Sequence, residues 1–381
     1  MPSHSQIYGV KLHYAYPISN LVSFTYIAKK HIEQLSKHAS IRELDVDFLN
    51  PSMIPDHATL AIHPLLYPFF KGEAPDLEAF ETAVSKADRV AAFDTADSDR
   101  LSPLAMRLVN MIDLLIVPST FAKTAYQESG ATTEIEVVPH GISREFLYPA
   151  KSVTSPTLQA LERTKLEKNL IYVLFDLRHS GFRKGADLVF AAMKRVQQKL
   201  PHVTLLIKRL QAIDPYLHML KTLKHIEVAK QLPEREYREL FDIADIAVFP
   251  SRGGGFELQA LEAISRGVPT LVPKAGCFLD YIEYAIPVEV ADRVKVLEGN
   301  PIHIGMGWEA SIDDLTLKLL EVIDHLEEFK QTFEKRARKV REKYNWYRIG
   351  ELLAGVLKRH GILKEMPVSR MRLRQKAIHR A

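Results

Sequence analysis

Short apolar or β-branched runs alternate with longer stretches of helical periodicity along almost the whole chain, and this alternation constrains the fold most. Tyr8–Tyr14, Arg42–Phe48, Ala58–His63, Val90–Phe93, Leu114–Val117 and Glu136–Val138 read as one series of strands. Ile171–Phe175, Val203–Lys208, Ile226–Val228, Ile246–Phe249 and Thr270–Val272 read as a second. Between them, segments such as Leu21–Leu35, Ala186–Leu200, Glu234–Ile243 and Leu258–Ser265 carry helical patterns. Strands separated by helices predict parallel sheets with helices on both faces.

The pattern breaks once, between Pro149 and Asn169, where Pro149, Pro156 and the mixed-charge run Glu162–Lys168 interrupt it. A chain of 381 residues exceeds one ordinary core. The break therefore predicts a boundary near residue 155, with doubly wound α/β domains over residues 1–155 and 156–343. Such sheets bind ligands at the carboxyl ends of their strands, so two of them face to face enclose a cleft. From Ile312 the pattern is helical, with Leu315, Leu319, Val322, Ile323 and Leu326 as a core-facing stripe. Residues 344–363 contain an amphipathic helical segment with Trp346 and Tyr347, and 364–381 form a basic tail.

Hydrophobic and charged contents of 46% and 26% exclude wholesale disorder. A single cysteine, Cys277, excludes an intramolecular disulfide framework and a cysteine-based zinc cluster, and suits a reducing compartment. The net charge of +4 is uneven: residues 1–150 carry −6, residues 151–369 carry +5, and the last twelve carry +5. This asymmetry is consistent with an anion bound by the second half. The longest uncharged stretch, Leu12–Ala28, contains His13, Pro17, Ser19, Asn20 and Ser23, and falls short of the roughly 20 apolar residues of a spanning helix. The amino terminus lacks the layout of a signal peptide, so the expected location is cytoplasmic.

Two segments carry the chemistry. In Val248–Pro269 a strand ends at Pro250, Gly253, Gly254 and Gly255 follow, and a helix is expected to open near Phe256. Glycines there let backbone N–H groups approach a ligand, and a helix amino terminus favours an anion. Glu257 and Glu262, five residues apart, point to different sides of that helix. The alternative makes Gly254 an N-cap and Glu257 a first-turn acid favoured by the helix dipole. In Phe175–Asp187, Arg178, Arg183 and Lys184 gather three cations where a strand opens into a loop. Arginine offers phosphate a planar fork and lysine a point charge; a solvated charge cluster is the other reading. Lys208, at the end of the next strand, adds a cation at the same sheet edge or is an ordinary exposed lysine.

These segments, with DLLIVPSTFAKTAYQESG at Asp113–Gly130 and IEVVPHGISREFLYP at Ile135–Pro149, resemble the family 4 glycosyltransferases of the GT-B fold. The resemblance covers most of residues 110–275. It implies a retaining transfer from a nucleotide sugar, two Rossmann-like domains, and a last helix crossing back to the first. It also places the donor diphosphate on Arg183 and Lys184 and the ribose on Glu262. The glutamate that the family carries eight positions before Glu262 falls on Gly254, a departure. Either Glu257 supplies that carboxylate, or the site does without it and the Gly253–Phe256 amides hold the sugar and phosphate. The glycine-rich loop that often follows the family's first strand is also missing: Tyr14–Ser19 reads YAYPIS.

On the acceptor side, relatives carry an acid near the cleft, where this chain has Asp94, Asp97 and Asp99; Asp97 is the choice, with a turn or N-cap aspartate as the alternative. His63 and His140 are further acceptor-side candidates, or else structural histidines. The candidate catalytic set is thus Arg183, Lys184, Glu257 and Asp97, with no metal and no cofactor beyond the donor; activity is expected to survive chelation, despite the short Asp97-Ser98-Asp99 match to a metal-binding element. The expected activity is hexose transfer from a nucleoside-diphosphate sugar to the hydroxyl of a glycan, lipid-linked or small acceptor. A nucleotide-sugar epimerase and a non-catalytic nucleotide-sugar binder are the alternatives. Nucleic-acid binding finds no stacking aromatics among the tail's basic residues. Peripheral contact of that tail with an anionic membrane surface and a solvated tail both remain open.

Overall fold

The computed structural model describes residues 12–20, 22–49, 51–70, 77–148, 153–178, 180–210 and 214–363. The first sheet contains β1 (Leu12–Tyr16), β2 (Ile41–Asp45), β3 (Ala58–Ile62), β4 (Ala87–Phe93), β5 (Leu114–Val117) and β6 (Glu134–Val137). Its order is β2-β1-β3-β4-β5-β6, parallel throughout. The second contains β7 (Ile171–Arg178), β8 (Val203–Arg209), β9 (His225–Val228), β10 (Ile246–Val248), β11 (Thr270–Pro273) and β12 (Ile286–Val288). Its order is β12-β11-β10-β7-β8-β9, again parallel. All of β5 (LLIV) and β10 (IAV) is buried, as expected of strands covered on both faces. The two doubly wound domains of the GT-B expectation are present.

Local differences have local causes. The first expected strand begins at Tyr8, but Tyr8–Lys11 lie outside the described residues. β2 stops at Asp45 instead of Phe48, because the Asp45 carboxylate accepts the Asp47 N–H (3.1 Å) and turns Val46–Phe48 into a 3-10 helix. The interruption after Pro149 contains a helix, Pro156–Glu167, with Pro156 in its first turn, where proline is tolerated. The antiparallel hairpin of β13 (Val290–Lys295) and β14 (Met306–Ala310) went unpredicted. β13 is largely exposed and shows no apolar face.

That hairpin and the last helix join the domains. The segment between β13 and β14 puts Ile302 into the core of the first domain, where its carbonyl accepts the Ser102 N–H at 2.8 Å. Met306 and Asp99 bond twice there: the Asp99 N–H donates to the Met306 carbonyl (3.0 Å), and the Met306 N–H donates to the Asp99 carboxylate (2.7 Å). The helix Trp346–Arg359 crosses back as expected, burying Trp346, Ile349, Leu353, Val356 and Leu357 against β1, β4, β5 and the helix Ser23–Leu35. Gly350 permits that approach: a Cβ there would lie 2.5 Å from Gln34 Cβ.

Candidate active site

The carboxyl ends of β4, β5, β7 and β10 meet between the domains. β10 runs through Pro250 into Ser251–Phe256, and the helix behind it begins at Leu258 rather than near Phe256. Glu257 is the N-cap, with φ 54° and ψ 59°. The alternative sequence expectation does not hold: Gly254 is not the cap, and Glu257 is not a first-turn acid. A non-glycine residue in the left-handed region costs of order 1 kcal/mol and persists where its surroundings fix it. Two contacts fix it here. Tyr281 Oη donates toward the carbonyls of Phe256 (2.9 Å) and Glu257 (3.0 Å), and the Glu257 carboxylate receives both of its hydrogen bonds from Lys184 Nζ, at 2.7 and 2.6 Å.

The three glycines are required for space, since none has a positive φ. A Cβ on Gly253 would lie 2.0 Å from the Asp97 carbonyl oxygen, and one on Gly255 1.2 Å from Thr95 Oγ1. The loop after β4 therefore rests directly on the glycine loop. On Gly254 a Cβ would meet Glu257 Oε1 at 2.2 Å and Cδ at 3.0 Å. The Glu257 carboxylate thus fills the space that a side chain at position 254 would enter.

Arg183 and Lys184 follow β7. The Arg183 guanidinium donates to the Gly253 carbonyl (3.0 Å) and lies 3.7 Å from both Asp97 Oδ1 and Glu257 Oε1. Burial opposes its charge, but the carboxylates of Asp97 and Glu257 outweigh burial and hold its pKa above the usual arginine value. Burial pulls the Lys184 ammonium below the ordinary lysine range, with Glu257 countering. The four proposed catalytic side chains, Arg183, Lys184, Glu257 and Asp97, are thereby brought together.

Sequence reasoning missed the residue that organises this group. Arg252, 1% exposed, donates two hydrogen bonds to Asp187 (2.7 and 2.7 Å), two to Glu309 Oε2 (2.9 and 2.7 Å) and one to the Phe182 carbonyl (2.6 Å). Its guanidinium carbon also lies 4.0 Å from the Phe182 ring centroid. It ties the Arg183–Lys184 loop, the glycine loop and β14 into one unit. The signal was an arginine directly before three glycines, at the end of an apolar strand.

Other candidates separate from this group. The Lys208 ammonium, buried, donates to the carbonyls of Arg209 (2.9 Å) and Lys230 (2.7 Å). Arg178 ends β7, and its side chain lies outside the described residues. Glu262, 5% exposed, lies in the helix Leu258–Ser265, and its charge raises the pKa of Tyr26 of the first domain, behind burial as the main cause. Asp94 accepts the N–H groups of Leu66 (2.6 Å) and Thr95 (2.7 Å), and burial pushes its carboxyl up to about 7. Asp99 pairs with Arg293 across the domains.

His63 and His140 belong to a buried aromatic group, and the structure adds Tyr14, His31 and Trp346 to it. The Tyr14 hydroxyl lies 2.9 Å from His31 Nδ1 and 3.1 Å from His63 Nδ1; the two imidazoles stack at 5.3 Å. His140 meets Phe256 of the glycine loop at 5.2 Å. Burial pushes His63 and His140 down to about 3 and lowers His31 as well, so all three are neutral. Among the described residues, no helix is long and apolar enough to cross a membrane.

A two-domain α/β architecture with paired cations opposite a glycine loop defines a GT-B protein. The solved structure of Anabaena HepE in complex with UDP and glucose superposes with a TM-score of 0.64 at 15% identity, covering 92% of this chain and 100% of that one. WaaG, a glycosyltransferase involved in lipopolysaccharide biosynthesis, gives 0.59 at 14%, covering 91% and 99%. The family described as Family 4 Glycosyltransferase in conflict systems matches residues 182–353. Uncharacterized protein 356 of Sulfolobus islandicus rod-shaped virus 1 is 26% identical over 88% of this chain and 92% of its own. A protein of Sulfolobus islandicus filamentous virus, with the provisional name glycosyltransferase 45, is 28% identical over 72% and 75%. Over residues 182–353 the chain is thus similar to family 4 glycosyltransferases, and its fold is that of the GT-B glycosyltransferases.

Proposed function

We propose that the protein transfers a hexose from a nucleoside-diphosphate sugar to an acceptor hydroxyl, with retention of anomeric configuration. The observation that carries this reading is the Arg183–Lys184 pair, held by Arg252 against the glycine loop at the carboxyl ends of β7 and β10. Cleavage of the sugar–phosphate bond leaves a diphosphate, and fixed cations in a water-poor cleft stabilise that developing charge. In a front-face route the leaving phosphate accepts the acceptor's proton, so no carboxylate nucleophile is required. UDP in a structural neighbour supports a nucleoside diphosphate as the leaving group.

Glu257 is the residue we assign to the donor sugar in place of the family glutamate, since its carboxylate fills the space beside Gly254. Glu262 is assigned to the ribose, Asp97 to the reacting groups, and His63 and His140 to the acceptor edge. The reaction uses no metal and proceeds in the cytoplasm, with the tail after residue 369 as a contact to an anionic membrane surface. Incubation with a panel of nucleotide sugars, following nucleoside-diphosphate release with and without acceptors, tests the reading. Acceptor-dependent release that persists in EDTA is expected, and the anomeric proton of the product reports retention. Binding without turnover across a broad acceptor panel would favour a non-catalytic binder.

A further inference from the structure

Four charged side chains meet at the glycine loop, and they come from two domains. The second domain contributes Arg183, Lys184 and Glu257, a net charge of +1; the first contributes Asp97, which brings the group to zero. A neutral group offers little attraction to a diphosphate. Space at the glycine loop is equally short. The cavity lined by Ser251, Gly253, Gly254 and Cys277 holds about 10 Å³, room for one water. Above it, the Asp97 carbonyl and the Thr95 hydroxyl press on Gly253 and Gly255.

The Asp97 loop is held in this position by contacts that do not involve those four charges. Asp99 pairs with Arg293 and accepts the Met306 N–H, and Ser98 Oγ accepts the Gly305 N–H at 3.2 Å. The loop therefore carries a carboxylate to the donor cations whenever the domains are in contact. We propose that Asp97 is an internal counter-ion of the diphosphate site. A donor's diphosphate takes Arg183 from Asp97, restores the +1 of the second domain, and lifts the loop from Gly253 and Gly255. Donor binding and the contact between domains are then one equilibrium, and Asp97 sets its position. This rests on the donor reading above and adds a competing group to it.

The test is calorimetric titration of the full chain with uridine, guanosine and adenosine diphosphates, for the wild type, Asp97→Asn and Asp99→Asn. Removing the competing charge in Asp97→Asn is expected to tighten the best ligand about tenfold. Asp99→Asn breaks a contact of the same loop without changing the charge at Arg183, and is expected to leave affinity within about twofold. Asp97→Ser, measured in parallel, serves if the asparagine variant fails to fold. Binding to the wild type with no gain in either Asp97 variant overturns the counter-ion role and leaves the donor reading standing. An equal gain in the Asp99 variant overturns it too, because loosening of the loop then suffices. If no nucleoside diphosphate binds any of the proteins, the donor reading fails and takes the proposal with it.

Discussion

The edge of the second sheet is built from charges held in pairs, whereas the edge of the first sets a group of neutral rings beside the aspartates that follow β4. At the former, Arg183, Lys184 and Arg252 each meet at least one carboxylate, and burial is tolerated because every charge has a partner. At the latter, Tyr14, His31 and His63 share one hydroxyl among two imidazoles, and His140 touches the glycine loop through a ring contact. One edge can thus exchange an internal anion for an external one. The imidazoles of the other change charge only when a buried ring is forced to take a proton. In a transferase the first property suits a diphosphate donor and the second a neutral alcohol.

The largest effect should come from breaking the charged edge. Lys184→Ala removes the cation bound to Glu257 and is expected to lower turnover by about 10²–10³-fold, measured as acceptor-dependent diphosphate release. Near-normal transfer would take the leaving-group role away from this residue. Arg252→Met tests the support beneath it: the methionine fills part of the volume but leaves Asp187 and Glu309 without their partner. A loss of about 3 kcal/mol in urea denaturation is expected. Donor affinity should fall with it, since the Phe182 carbonyl and Asp187, which flank Arg183 and Lys184, lose their tie. An unchanged midpoint would mean that the two carboxylates find water as readily as they find arginine.

The neutral edge should announce itself through pH. His63 and His140 sit at about 3 and His31 is lowered too, against 6.5 in the unfolded chain. The unfolded chain therefore binds protons below pH 6.5 that the folded chain refuses. Stability from these groups is complete above that pH and falls as pH drops toward 3, by about 1.4 kcal/mol per unit for each histidine. Asp94, raised to about 7, acts in the opposite sense: its contribution is present at low pH and is lost as pH rises through 7. The histidines outnumber it, so the urea midpoint should fall from pH 6.5 to 4.5. His63→Asn should flatten that slope, and a slope unchanged by the substitution would show that His63 titrates normally.

Legibility in the sequence followed the same division. Strand and helix alternation is a property of neighbouring residues, so both sheets are readable from the amino-acid order alone, whereas the crossing of the last helix and the donor role of Arg183 and Lys184 come from the family resemblance. The hairpin Val290–Ala310 is not, since exposed strands such as β13 carry no apolar alternation and hold their place through contacts with the other domain. Arg252 escapes notice because its partners, Asp187 and Glu309, are far away in the chain. His31 lies inside a helical pattern, where a histidine on the buried face looks like any other position. The glycines suggest a conformational role, and their actual requirement is room for Asp97, Glu257 and Thr95. That requirement depends on what another segment brings to the same place.

The subtlest question at the charged edge is whether the carboxylate matters by its position or by the residue that carries it. Glu257 reaches the space beside Gly254 from a left-handed backbone, and the Lys184 ammonium follows it there. Gly254→Glu alone should be harmful, because its Cβ would meet Glu257 Oε1 at 2.2 Å and two like charges would share one site. Glu257→Gly alone relieves the backbone but leaves the buried Lys184 without its partner. The double variant Gly254→Glu, Glu257→Gly returns one carboxylate to the same space from a relaxed backbone. Turnover within about tenfold of the wild type is expected, well above either single variant, with a coupling of about 1–3 kcal/mol in the double-mutant cycle. Additive losses would show that position 257 acts through the shape of its backbone rather than through the place of its charge.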